Sequence, residues 1–157
     1  MAGYLIKVYF SKSPESETSP SITVFPVGRV SPTADMATFA IQLLIAGPTP
    51  QERAAGYFSE LNRMFTNGTN CASPSPASLG GPDFTLTLDH KGTSPDQGTA
   101  TLKLCRGTLS PGEGTDARVT AEIDATLLQF AAIKKVVILD VNGQCWGGGR
   151  GGTYCLQ

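Results

Sequence analysis

Residues 41–56 read IQLLIAGPTPQERAAG, an apolar run broken by Gly47-Pro48-Thr49-Pro50 and followed by a second stretch of helical composition. The break has two readings, a glycine-threonine ligand loop or a corner that turns the chain back on itself. Before it, Met36, Phe39, Ala40, Leu43 and Leu44 recur at the i, i+3, i+4, i+7, i+8 spacing of one buried helix face. Ser31-Pro32 supplies a helix start, a serine to cap orphan N–H groups and a proline that the first turn tolerates. Gly47 fits the position just past a helix end, where positive φ is cheap only without a Cβ, and Pro48 blocks resumption. Thr49 caps a second short helix begun by Pro50 and closed by Gly56. Residues 47–50 therefore read as a structural corner, with no ligand involved.

Working outward, YLIKVYF at 4–10 alternates and is rich in aromatic and β-branched residues, the pattern of a strand, and a polar turn region follows it. ITVFPVGRV at 22–30 is a second extended run, which Pro26 confines to an edge or makes irregular. Residues 62–83 are dense in turn formers and read as a long surface loop bearing Cys71. FTLTLDH at 84–90 and ATLKLCR at 100–106 both alternate and read as antiparallel neighbours, with Phe84, Leu86 and Leu88 sharing a face with Leu102 and Leu104. Val119, Ile123, Thr126, Leu127 and Phe130 predict the second main helix. IKKVVILDV reads as a strand buried on both faces, and Asn142-Gly143 as a two-residue hairpin turn. The expectation is an α+β two-layer sandwich, a largely antiparallel sheet with two main helices on one face. It forms a single domain over 1–157, with a C-terminal hairpin and Gly-rich loop at 142–157.

At 157 residues and 40% hydrophobic content the chain has the size of one domain with a real core. A formal net charge of −1 gives no positive field to gather nucleic acid, which is excluded as an expected partner. No apolar run reaches membrane-spanning length and the N-terminus lacks a signal-peptide pattern. The expectation is a soluble chain with no direct membrane insertion, compatible with an ectodomain trimmed from a lipid- or helix-anchored protein.

Cys71, Cys105, Cys145 and Cys155 contain no C-x-x-C pair that would grip zinc. Two disulfides in an oxidising compartment fit this Gly-, Ser- and Pro-rich chain better than a cytosolic redox site, with four unrelated thiols as the alternative. Of three possible connectivities, Cys71 with Cys105 and Cys145 with Cys155 is expected, the second closing a short Gly-rich loop.

Catalytic candidates are thin. His90, the one histidine, follows Asp89, which is able to orient an imidazole, yet a solvated histidine at a strand end is the better reading. GGGRGG at 147–152 offers backbone N–H groups and Arg150 to an anion but lacks the Lys-Ser/Thr pair and following helix of a phosphate loop. Asp83, Asp89, Asp96, Glu113 and Asp116 have no calcium-loop spacing and read as solvated turn acids. Trp146 is assigned to core packing beside Cys145, ahead of a role as a contact anchor. No catalytic residue, metal or cofactor is expected.

AIQLLIAGPTPQERAAG together with TLLQFAAIKKVVILDVNG resembles the two most recognisable blocks of the GerMN domain family, the sporulation and spore-germination GerM domain. VYF at 8–10 and VFPVGRV at 24–30 resemble its opening strands, so the likeness covers most of the chain. The Cys71 loop and the Gly-rich tail from Cys145 to Cys155 depart from the family pattern. The resemblance implies a non-catalytic extracytoplasmic module of bacterial lipoproteins and membrane-anchored envelope proteins. It implies another envelope protein as partner, held by exposed strand edges or by the loops bearing Cys71 and Arg150. The competing reading is a small secreted hydrolase or ligand-binding domain with an unrecognised site.

Overall fold

The computed structural model describes residues 3–17, 22–69, 83–108, 113–146 and 152–157. In chain order these form β1 (Tyr4–Lys12), β2 (Phe25–Ser31), α1 (Met36–Ala46), α2 (Pro50–Ala54), β3 (Tyr57–Phe58), α3 (Glu60–Met64) and β4 (Phe65–Thr69). They continue with β5 (Phe84–Lys91), β6 (Ser94–Leu104), β7 (Arg106–Thr108), α4 (Glu113–Leu128) and β8 (Lys135–Leu139). Strands pair in the orders β2-β1-β3, β4-β7 and β5-β6-β8. All pairs are antiparallel except β6 with β8. The α+β, largely antiparallel architecture is therefore present, with α1 and α4 packed on each other and both against β1.

One apolar cluster draws on every layer. It joins Val8 and Phe10 of β1, Ile41 and Leu44 of α1, Leu61 and Met64 of α3, Leu86 and Leu102 of β5 and β6, and Val119, Ile123 and Leu127 of α4. Alternation in β1 sends Ile6, Val8 and Phe10 inward and leaves Leu5 and Lys7 facing solvent. The inner edge of β1 meets side chains instead of a strand: the N–H groups of Lys7, Tyr9 and Ser11 donate to Gln129, Thr126 and Glu122. Because the N–H groups of these odd-numbered residues point away from β2, Tyr9 and its partner Pro26 form a non-hydrogen-bonded pair. Pro26 thus sits on the free edge of β2, where its missing N–H removes no ladder bond.

The 47–50 segment is a tight junction between α1 and α2. Gly47 has φ of 92°, which L side chains rarely adopt, and its N–H bonds to Leu43 O at 3.0 Å. Thr49 Oγ1 accepts from Glu52 N at 3.2 Å and Thr49 N donates to Glu52 Oε1 at 2.9 Å, a reciprocal capping box with Pro50 at the first helical position.

Several sequence expectations are corrected. Helix α1 begins at Met36, because Ser31 is still paired with Tyr4 and its hydroxyl bonds to Thr33 O instead of capping a helix. The loop expected from residue 62 is helical and then extended to Thr69: Ser59 caps α3 by accepting from Asn62 N, and β4 pairs with β7. The linker expected between 90 and 100 is mostly strand, since β6 starts at Ser94. Its register against β5 shifts at Asp89, whose φ is 57° and whose Oδ1 accepts from Gly98 N. The expected facing of Phe84 and Leu86 with Leu104 and Leu102 is observed. β8 is not buried along its whole length, Lys135 being exposed and Val136 half-buried. The turn at Asn142-Gly143 is a three-residue loop: Gly143 N donates to Asp140 O, Gly143 has φ of 78°, and Asp140 N bonds Gln144 O across it.

Candidate functional site

The densest polar constellation is centred on Glu122, which is fully buried on α4. Its Oε2 accepts from Ser11 Oγ at 2.7 Å, Ser11 N at 3.3 Å and Glu60 N at 2.8 Å, and its Oε1 accepts from Leu61 N at 3.1 Å. Burial pushes this carboxyl up to about 7, against the donors, which favour its charged form. Next to it, Arg118 Nε contacts Glu60 Oε2 at 2.8 Å. The carboxylate joins the end of β1 to the first turn of α3. Sequence reading missed it, although a signal was present: Glu122 lies three residues after Val119 and four before Thr126, on the same face as the apolar stripe.

Three surface depressions stand out among the described residues. A groove of 540 Å³ crosses the outer face of β1 and β2, lined by Leu5, Lys7, Tyr9, Gly28, Val30 and Gln129 among others. Leu5 and Val30 are cross-strand partners and are 87% and 55% exposed, an unusual placement for a paired aliphatic couple. A second cleft, of 300 Å³, lies at the 47–50 corner, with Gly47 and Pro48 on one wall and Tyr57, Phe58, Arg53 and Arg63 around it. A third, of 170 Å³, lies between α4 and β8 and includes Asp124 and Trp146. Burial raises the Asp124 carboxyl to about 6.

The residues singled out from sequence do not converge. His90 is half-buried in β5, its Nδ1 2.9 Å from Leu88 O. Asp89 turns to Gly98 N and Asp96 to Thr99 Oγ1, while Asp83 pairs with Arg106 at 2.5 Å. Among the described residues no group of three or more His, Cys, Asp or Glu side chains is placed to hold a metal. Trp146 packs against the main core, with its indole N–H 3.5 Å from Asp116 O. Cys145 and Cys155 are disulfide-bonded with a Cα separation of 5.9 Å. Cys105 is buried, whereas Cys71, and with it the expected partner of Cys105, lies outside the described residues, as does Arg150. No helix among the described residues is long and apolar enough to cross a membrane.

No curated protein matches this chain. Two solved structures are similar to it. The tandem GerMN domains of the sporulation protein GerM from Bacillus subtilis share 17% identity at a TM-score of 0.49, over 96% of this chain and 45% of that one. A protein of Clostridium perfringens described as a lipoprotein shares 18% identity at a TM-score of 0.41, over 94% of this chain and 82% of that one. This chain thus spans less than half of the tandem GerM structure. The family model for sporulation and spore germination, Germane, matches residues 7–145, which is most of the sequence, and the chain belongs to that family.

Proposed function

We propose that the protein is a non-catalytic, extracytoplasmic interaction module of the bacterial cell envelope that holds another envelope protein. The observation that carries this reading is the exposed Leu5–Val30 pair over the groove on the outer face of β1 and β2, an apolar surface on a rigid sheet. Family membership supports it, and so does the chemistry of the interior. The most perturbed carboxyl, Glu122, is sealed from solvent and both of its oxygens accept hydrogen bonds from the chain, so it is not presented to a substrate. The Cys145–Cys155 bond suits an oxidising compartment. A second reading, a ligand-binding domain, rests on the same groove, whose volume falls in the range of small-molecule sites.

The test sets an affinity capture from native envelope extract beside a broad hydrolase and ligand screen. The module reading expects a partner captured by the wild-type protein and lost with Leu5→Glu and Val30→Glu together. Reproducible turnover abolished by His90→Ala, or a small molecule bound in the groove with no protein captured, would overturn it.

A further inference from the structure

We infer that the cleft at the 47–50 corner is a carboxylate-binding site that takes an acidic side chain of a protein segment, held between Arg53 and Arg63. Its identification as a site for a protein segment rests on the interaction-module reading. Arg53 and Arg63 are the two charged residues among those lining the cleft, and neither is in an ion pair among the described residues. This is an uncompensated positive pair in a chain whose formal net charge is −1.

Both guanidinium groups are held in place without using up their donors. Arg53 Nη1 donates to Pro48 O at 2.7 Å, which bends the side chain over the corner and leaves its other N–H groups unspent by that bond. The Arg63 guanidinium carbon lies 4.0 Å from the centroid of the Phe58 ring. Stacking uses the face of the guanidinium, so its in-plane N–H fork is left for a bidentate carboxylate. Lys12 adds positive charge behind the wall, its Nζ 5.1 Å from the Tyr57 ring centroid.

The neighbouring acids are engaged elsewhere. Glu52 is bound by Arg29 at 2.6 and 2.8 Å, and Glu60 by Arg118. Glu17 accepts from Ser13 Oγ at the rim and is the negative charge an incoming carboxylate has to approach.

Guanidinium forks pair with carboxylate and phosphate alike, so the choice of a carboxylate rests on the backbone N–H groups around them. Phosphate sites draw on convergent backbone N–H groups, and here those of Gly47, Glu52 and Gly56 are committed to Leu43 O, Thr49 Oγ1 and Arg53 O. What remains is a pair of planar forks over an aromatic floor, the geometry that suits a carboxylate.

The experiment is an NMR titration of the full chain with acetyl-tetraglutamate amide, with acetyl-tetralysine amide and inorganic phosphate as comparison arms. Amide shifts centred on Gly47, Tyr57, Phe58 and Asn62 with tetraglutamate alone are expected, with affinity weakened roughly tenfold or more in Arg53→Gln/Arg63→Gln. Arg53→Lys/Arg63→Lys is expected to keep the charge and lose most of the affinity, because the fork is absent. The glutamine variant keeps most of each side-chain stem, and its spectrum reports directly whether it is folded. Should it unfold, the lysine variant and the wild-type shift map carry the decision. Shifts dispersed over other cations, equal response to phosphate, or no response would overturn the inference. Envelope capture with the same glutamine variant separates the two readings: a partner retained at wild-type level sinks the cleft and leaves the module standing. A tetraglutamate shift map confined to the cleft with no partner captured by the wild type sinks the module.

Discussion

Gln129 grips Lys7 by both of its backbone groups: Oε1 accepts from Lys7 N at 2.9 Å and Nε2 donates to Lys7 O at 2.6 Å. A side-chain amide here does what a neighbouring strand would do, and with Thr126 and Glu122 it caps the β1 edge that β3 leaves unpaired before Ser11. Gln129→Ala is expected to destabilise by about 1–2 kcal/mol, the net worth of two such bonds, and to speed exchange of the Lys7 amide. Hydrogen exchange by NMR checks it, and unchanged Lys7 protection would show that the contact is incidental.

Stability should fall as pH rises from about 4.5 to 7. The folded-state carboxyl of Glu122 sits near 7 against an ordinary 4.5, so in this window the native state holds a proton that the unfolded chain has released. The effect is on the order of 3 kcal/mol, and Asp124, raised to about 6, adds with the same sign. Glu52 acts oppositely: the hydrogen bond from Arg29 lowers its carboxyl, so its contribution is present above its unfolded value and lost in acid. Denaturant melts across pH 4–8 should show the decline in the wild type and a shallower one, left by Asp124, in Glu122→Gln.

Gly47→Val should cost roughly 1 kcal/mol or more through the backbone alone. A Cβ at this position meets nothing nearer than Asn62 Cγ at 4.0 Å, so side-chain crowding is not the cause, and Gly47→Ala should cost nearly as much. Thermal unfolding of both variants checks this, and a large gap between them would point to sterics.

Reduction of Cys145–Cys155, or Cys145→Ser with Cys155→Ser, should destabilise by about 3 kcal/mol in the chain-entropy account of a short loop. Calorimetry with and without reductant measures it, while non-reducing peptide mapping tests the pairing expected between Cys71 and Cys105.

What the sequence made legible is what local chemistry decides. The period-2 run at 84–90, the helical stripe through Val119, Ile123 and Leu127, and the Gly-Pro-Thr-Pro junction each state their conformation within a few residues. Short elements escaped because tertiary pairing makes them: α3 has five residues and its N–H groups are capped by Ser59 and Glu122, and β4 exists as the partner of β7. The polar centre escaped because a single Glu inside an apolar stripe reads as a surface acid until Ser11 and Glu60, far away in sequence, are folded onto it. The arginine cleft escaped for the same reason, since Arg53 and Arg63 lie on separate helices.

The outer face of β1 and β2, with Leu5 and Val30 exposed on it, is expected to touch another protein in the cell. Photocrosslinking from a benzoylphenylalanine placed at position 5, with position 135 on an exposed part of β8 as control, measures this in cells that make the protein. The expected result is one discrete protein adduct from position 5, none from position 135, and loss of the adduct with Val30→Glu. Equal adducts from both positions, or none from position 5 while the protein is folded and present, would contradict it.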